Sequence, residues 1–231
     1  MKYSFFYLFL VFCLLAGKQG FSQKQKTKNL PFYDEKKLHY GFQIGLHNAY
    51  YNVKHSEKFV GDGDSTVSII PNATAGFSLG FILNFKLKDE LWNLRLLPAV
   101  VFYDRKVDFQ YPNTLKTQRF ETTVIEFPVL LKYQSVRRNN LRMYMTGGFM
   151  ASYEVGNKRA ELDDNGLVTK STNLEVQYGA GFDIYFDMFK FSPEIRFSHG
   201  LMNVMLDNGS AFARSIDRLT THKVAIYINF E

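Results

Sequence analysis

Glu175-Val176-Gln177-Tyr178-Gly179-Ala180-Gly181-Phe182-Asp183-Ile184 alternates without a break. Val176, Tyr178, Ala180, Phe182, Ile184 and Phe186 form one set; Glu175, Gln177, Gly179, Gly181 and Asp183 form the other. A period of two marks a β-strand, because successive side chains point to opposite faces. Soluble sandwiches also alternate. What separates this stretch is its polar set, which puts charge and glycine in mid-strand opposite a nearly continuous apolar set. A narrow barrel wall in lipid needs that sorting. Apolar side chains meet hydrocarbon, and small or polar ones share the lumen.

Working outward, the same sorting recurs. Tyr40, Phe42, Ile44 and Leu46 oppose Gly41, Gln43, Gly45 and His47. Ala75, Phe77, Leu79, Phe81 and Leu83 oppose Gly76, Ser78, Gly80 and Asn84. Val224, Ile226, Ile228 and Phe230 oppose Lys223, Ala225, Tyr227 and Asn229. Eight runs emerge, at 39–50, 73–85, 92–103, 121–133, 141–153, 174–186, 190–202 and 220–231. Their connectors, 51–72, 86–91, 104–120, 134–140, 154–173, 187–189 and 203–219, go long, short, long, short. The expected fold is all-β: an eight-stranded antiparallel up-and-down transmembrane barrel over 39–231. The short turns are polar or compact, as in Lys88-Asp89-Glu90, Arg137-Arg138-Asn139-Asn140 and Asp187-Met188. The long loops carry turn formers such as Gly61-Asp62-Gly63-Asp64 and Asp163-Asp164-Asn165-Gly166.

Two runs sort less cleanly. In the third, Leu97, Val101 and Tyr103 share a face with Arg95; in the fifth, Met150 joins Arg142, Tyr144 and Thr146. Pro98, Pro128 and Pro193 fall inside runs. Proline lacks the ladder donor, so a closed barrel must carry a bulge or a ladder break at each.

The N-terminus reads as a secretory signal. Met1-Lys2 gives a positive start, Tyr3 to Ala16 is uncharged and apolar, and Gly20-Phe21-Ser22 offers small residues for cleavage before Gln23. The apolar stretch is short for a helical span. A lipoprotein reading would use Cys13, but Phe12 is bulky where a small residue is needed. The expected organisation is a signal peptide at 1–22, a periplasmic segment at 23–38 and the barrel at 39–231. Polar, proline-bearing and basic at Lys24, Lys26 and Lys28, the middle segment reads as a flexible lead-in. A periplasmic start and eight strands put both termini in the periplasm and the long loops outside.

Composition narrows the rest. Aromatics reach 16%, with 23 Phe and 14 Tyr, which suits interfacial girdles. Cys13 is the sole cysteine, so the mature chain has no disulfide framework and no thiolate metal site. The net charge of +6 is scattered and no basic helix appears, so no nucleic-acid partner is expected. Outer-membrane lipid is the partner the pattern itself names.

Several segments resemble a known family. Ile125-Glu126-Phe127-Pro128-Val129-Leu130-Leu131-Lys132-Tyr133 is similar to a strand of the outer-membrane β-barrel proteins common in Bacteroidetes. Tyr178-Gly179-Ala180-Gly181-Phe182-Asp183 resembles their glycine-rich sixth strand. Glu194-Ile195-Arg196-Phe197-Ser198-His199-Gly200-Leu201-Met202-Asn203 resembles their seventh, with one extra residue before the glycine. The lead Asn29-Leu30-Pro31-Phe32-Tyr33-Asp34 with His39-Tyr40-Gly41-Phe42 is similar to the PorT family. That resemblance implies a non-enzymatic part in the type IX secretion system and gliding motility, with other components of that system as partners. The terminal aromatic Phe230 suits outer-membrane assembly, although Glu231 follows it.

Arg95, Glu126, Lys132, Glu175, Asp183, Glu194 and Arg196 fall on inner faces. Buried charge must be paired, so an interior polar network is expected there. The sharper alternative is a ligand or proton path. Hydrolysis by Ser198 and His199 with Glu194 is disfavoured, since adjacent strand residues face opposite sides. His47 and His222 add no supporting spacing. The histidines show no H-E-x-x-H spacing, Asp62 and Asp64 lack the remaining calcium-loop ligands, and no glycine cluster opens a helix. No catalytic residue, metal ligand or cofactor is expected.

Overall fold

The computed structural model describes residues 28–55, 68–72, 74–110, 115–155, 168–206 and 216–231. The expected leader at 1–22 and the loop motifs at 61–64 and 163–166 lie outside the described residues. The strands are β1 (Leu38–His55), β2 (Ser68–Asn72), β3 (Thr74–Lys86), β4 (Trp92–Leu96), β5 (Ala99–Gln110) and β6 (Leu115–Gln134). They continue with β7 (Leu141–Val155), β8 (Val168–Thr169), β9 (Thr172–Tyr185), β10 (Lys190–Gly200), β11 (Met205–Leu206) and β12 (Ile216–Phe230). A 3₁₀ turn, Tyr33–Glu35, precedes β1.

Every pairing is antiparallel, and β1 meets both β3 and β12, which closes the sheet on itself. β2 with β3, and β4 with β5, each make one wall in two pieces. The ring then has eight walls in the order β1, β12, β10, β9, β7, β6, β4/β5 and β2/β3. Sequence neighbours are ring neighbours, the up-and-down arrangement. β8 and β11 pair apart from the ring, on the side of the long connectors.

The alternation settles which face is which. Tyr40, Leu46, Phe81 and Met145 point out and are 79%, 65%, 71% and 66% exposed. Gln43 and His47 on β1 and Ser78 and Asn84 on β3 point in and are buried. A membrane strand needs about 9–11 residues, whereas β1 has 18 and β6 has 20. The excess extends the walls at the long-connector end, which shortens the expected connectors. The one read at 203–219 is strand at Met205–Leu206 and from Ile216, and the one read at 154–173 is strand at Val168–Thr169 and from Thr172. The one read at 51–72 is strand as far as His55 and again from Ser68, and the one read at 104–120 is strand except at 111–114, which is not described. Beyond the lipid both faces of a strand meet water, so the period-two signal fades there.

The prolines break ladders without shifting register. Ala99 opposes Glu126 and Leu96 opposes Val129, so Leu97-Pro98 faces Phe127-Pro128 in a gap of unchanged alignment. The Leu97 amide donates to the Pro128 carbonyl at 3.0 Å, and the Phe81 amide to the Pro98 carbonyl at 2.9 Å. Each proline keeps its acceptor and forfeits only the reciprocal donor. At Pro193 the β9 ladder skips Ser192 and Pro193 and resumes in register.

The third run is mixed because the lumen is not wholly polar. Val101, Tyr103, Ala99, Ala49 and Val124 form one buried cluster, and Ile82, Leu97 and Leu130 form another.

Candidate functional site

All seven expected inner charges are buried in the lumen, from Arg95, Lys132 and Asp183 at 0% exposure to Glu175 at 4%. The structure brings five of them into direct pairs, Arg95 and Arg196 with Glu194 and Lys132 with Asp183, and places Glu126 and Glu175 beside partners the sequence reading did not include.

Glu194 on β10 is the hub. Its carboxylate accepts from Arg95 Nη1 at 3.0 Å, Arg196 Nε at 2.9 Å, Tyr144 Oη at 2.9 Å, Thr146 Oγ1 at 3.1 Å and Asn229 Nδ2 at 3.3 Å. Arg196 Nη2 adds an ion pair at 2.8 Å. Gly181, directly across from Tyr144, makes room for this, since a Cβ there would lie 2.6 Å from the Tyr144 hydroxyl.

Lys132 on β6 pairs with Asp183 on β9 at 2.7 Å, and Ser192 donates to the same carboxylate at 2.7 Å. The Lys132 ammonium also sits 3.8 Å from the Tyr144 ring centroid, a favourable cation–π approach. Nearer the long connectors, Lys223 on β12 reaches Glu126 on β6 at 2.6 Å, and the Tyr103 hydroxyl donates to Glu126 at 2.5 Å. Glu175 accepts from Thr221 at 2.8 Å and Asn173 at 2.9 Å. It lines a polar cavity of about 30 Å³ with Tyr51, Glu154 and Asn173, room for one or two waters.

The sequence reading missed Lys190, Lys223 and Glu231. Lys223 stood on the inner face of the eighth run, so its position was visible. Lys190 and Glu231 sat at run ends, where parity says little. Glu231 accepts from Lys190 at 3.0 Å, Arg95 Nη2 at 3.3 Å, Asn84 at 3.2 Å and the Tyr33 hydroxyl at 3.1 Å.

Tyr33 brings in the segment read as a flexible lead-in. Its described part, residues 28–37, is docked across the short-turn end of the barrel. Asp34 accepts from Arg142 at 3.2 Å, Tyr185 at 3.3 Å and Arg137 at 3.4 Å. Asn29 donates to Asn140 Oδ1 at 2.9 Å, and its carbonyl accepts from Arg137. The Tyr33 ring stacks on His39 at 4.0 Å, and the Arg137 guanidinium lies 3.6 Å from the Tyr185 ring centroid. Leu30 takes a φ of 48°, a costly conformation for a leucine, which these contacts hold in place.

Two ion pairs cross the full lumen. Four steps around the ring separate β4 from β10, and four separate β6 from β12, so Arg95–Glu194 and Lys223–Glu126 each join opposite walls. With the segment over one end, the passage is closed at three levels by the chain's own side chains.

The chain matches the outer membrane protein β-barrel domain family over residues 21–206. The chain belongs to this family. As an outer-membrane β-barrel of the small eight-stranded type, it turns its apolar exterior to lipid. Among solved structures it is similar to Neisserial surface protein A, at 8% identity and a TM-score of 0.46, covering 84% of this chain and 98% of that one. It is also similar to the outer membrane protein OprG from Pseudomonas aeruginosa, at 13% identity and a TM-score of 0.47, covering 82% and 93%. A third is the outer membrane enzyme PagL, at 10% identity and a TM-score of 0.42, covering 81% and 97%. No curated protein matches the chain.

In this barrel Ser198 and His199 face opposite ways. Ser198 lies in the lumen and accepts from Gln177 at 2.9 Å. His199 points outward to Tyr178 and to His222, a meeting the sequence reading did not foresee because it joins positions 23 residues apart.

Proposed function

We propose that this barrel supports protein export by the type IX secretion system, with gliding motility where that occurs, through protein contacts and without catalysis. One observation carries the reading. Asn29, Tyr33, Asp34 and His39, which carry the resemblance to the PorT family, are residues that close the short-turn end. The closed lumen supports an accessory role, since a polypeptide in transit would have to displace both cross-lumen ion pairs. In this reading the short-turn end and both termini face the periplasm. The docked segment with the turns beside it, and the long loops outside, are the contact surfaces for other components of the system.

The test is secretion of type IX cargo by a deletion strain, with outer-membrane integrity followed in parallel. Lost secretion from an intact membrane, restored by the wild-type gene, is the expected result. Normal secretion overturns the reading and leaves a structural or ligand-binding barrel. A lipid change in the deletion strain, with secretion intact, would point to a lipid-modifying enzyme instead.

A further inference from the structure

His199 on β10 and His222 on β12 are direct cross-strand partners on the outer surface. Their rings meet edge to face with centroids 4.9 Å apart, and the two Nδ1 atoms are 2.7 Å from each other. Two facing imidazole nitrogens at that distance share one proton, so at least one presents a lone pair to the other.

The far nitrogens explain why both can do so. His199 Nε2 lies 2.9 Å from the Tyr178 hydroxyl, and His222 Nε2 lies 3.5 Å from Thr220 Oγ1. A hydroxyl oxygen accepts from an Nε2–H, and a ring protonated at Nε2 has its lone pair at Nδ1. Metal-binding histidines are held in this way, with the distal N–H given to an oxygen that fixes tautomer and ring orientation. Aromatic rings wall both imidazoles. Tyr178 stacks on His199 at 5.5 Å, and Tyr50 stacks on His222 at 5.5 Å.

The location admits an ion. Below the pair the outward residues are apolar, with Ile195 and Ile226 exposed on the same two strands. Above it, Lys54 and Asp217 form an exposed ion pair at 3.1 Å. The histidines therefore sit where the apolar band gives way to water, and both are partly exposed.

We propose that His199 and His222 form a two-nitrogen chelate for a borderline divalent transition ion of the zinc, nickel or copper class. Imidazole suits these ions, while calcium and magnesium favour oxygen. A bound ion takes the place of the shared proton. Its bonds of about 2.0–2.1 Å require the nitrogens to spread by roughly half an ångström, which the partly exposed rings permit. Water completes the coordination sphere, so the site is open and moderate in affinity. Among the described residues no cluster of three or more His, Cys, Asp or Glu could hold a metal, and this pair is a smaller, bidentate arrangement.

The experiment uses the full mature barrel refolded in detergent, with folding of every variant checked by heat-modifiable gel migration. Zn²⁺ is titrated calorimetrically, and Cu²⁺ is followed by electron paramagnetic resonance. Wild type should take one Zn²⁺ and show two-nitrogen coupling on copper. His199→Ala and His222→Ala should each weaken Zn²⁺ binding at least tenfold and leave one coupled nitrogen. Tyr178→Phe keeps both ligands but loses the orienting hydroxyl, and should weaken binding by about tenfold, the lower end of such effects. No zinc uptake by wild type, or uptake and copper coupling unchanged in folded His199→Ala/His222→Ala, overturns the proposal.

Discussion

Arg95 and Glu194 meet at 3.0 Å across the lumen, from walls that face one another. Both side chains are fully buried. Glu194 also neutralises Arg196, so one carboxylate answers for two guanidinium groups. Deleting it leaves Arg196 without its counter-charge and Arg95 with Glu231 alone, and stranding a buried charge costs about 3–5 kcal/mol. Glu194→Ala should lower the urea unfolding midpoint of the refolded barrel by that equivalent, at unchanged denaturant slope. A loss below about 1 kcal/mol would mean that Glu231 satisfies Arg95 and that Arg196 does not depend on the Glu194 carboxylate.

Lys223 and Glu126 form the second crossing, joined by Tyr103. Each single change, Lys223→Met or Glu126→Leu, strands a buried charge. Changing both removes the charges together, and apolar replacement of a whole buried pair is often close to neutral. The double variant should be more stable than the sum of the singles predicts, with a coupling of about 2 kcal/mol or more. A double-mutant cycle on chemical unfolding checks this. Strict additivity would show that the two residues do not sense each other.

The walls were legible because lipid imposes one rule along every strand. Phe42, Phe77 and Phe182 announce the outside while Gln43, Ser78 and Asp183 announce the inside. The pairs were not legible. Lys223 meets Glu126 from 97 residues away, and which inner charge reaches which depends on stagger around the closed ring. The docked segment was missed for another reason. Tyr33, Asp34 and Asn29 carry a family resemblance but no periodicity, and their docking appears only when Arg137, Arg142 and Glu231 converge from distant elements. The His199–His222 contact needed the register of β10 against β12.

Asp34 anchors that segment through Arg137, Arg142 and Tyr185. Charge-assisted hydrogen bonds of this kind contribute about 1.5–3 kcal/mol each when buried, and less here because Asp34 is partly exposed. Asp34→Ala should leave the barrel folded and loosen residues 29–37. Protease cleavage before β1 should accelerate about tenfold, corresponding to about 1.4 kcal/mol of lost docking. Equal cleavage in wild type and variant would show that Asn29 and Tyr33 hold the segment unaided.

Tyr33 gives the docking a pH limit. Burial, and then the Glu231 carboxylate beside its hydroxyl, hold its phenol well above the ordinary value. An acid whose folded-state pKa is raised keeps its full stabilising contribution below the unfolded value, near 10 for tyrosine. That contribution falls as pH rises past it, because the released chain ionises and the docked one resists. Docking should therefore be constant from pH 7 to 9 and weaken steadily above about 10. Tyr33→Phe keeps the ring on His39 but cannot ionise, so its docking should start weaker at neutral pH and fall less between pH 10 and 11.5. Hydrogen exchange of residues 29–37 across that range distinguishes the two. Parallel pH profiles for wild type and Tyr33→Phe would place the alkaline transition on another group.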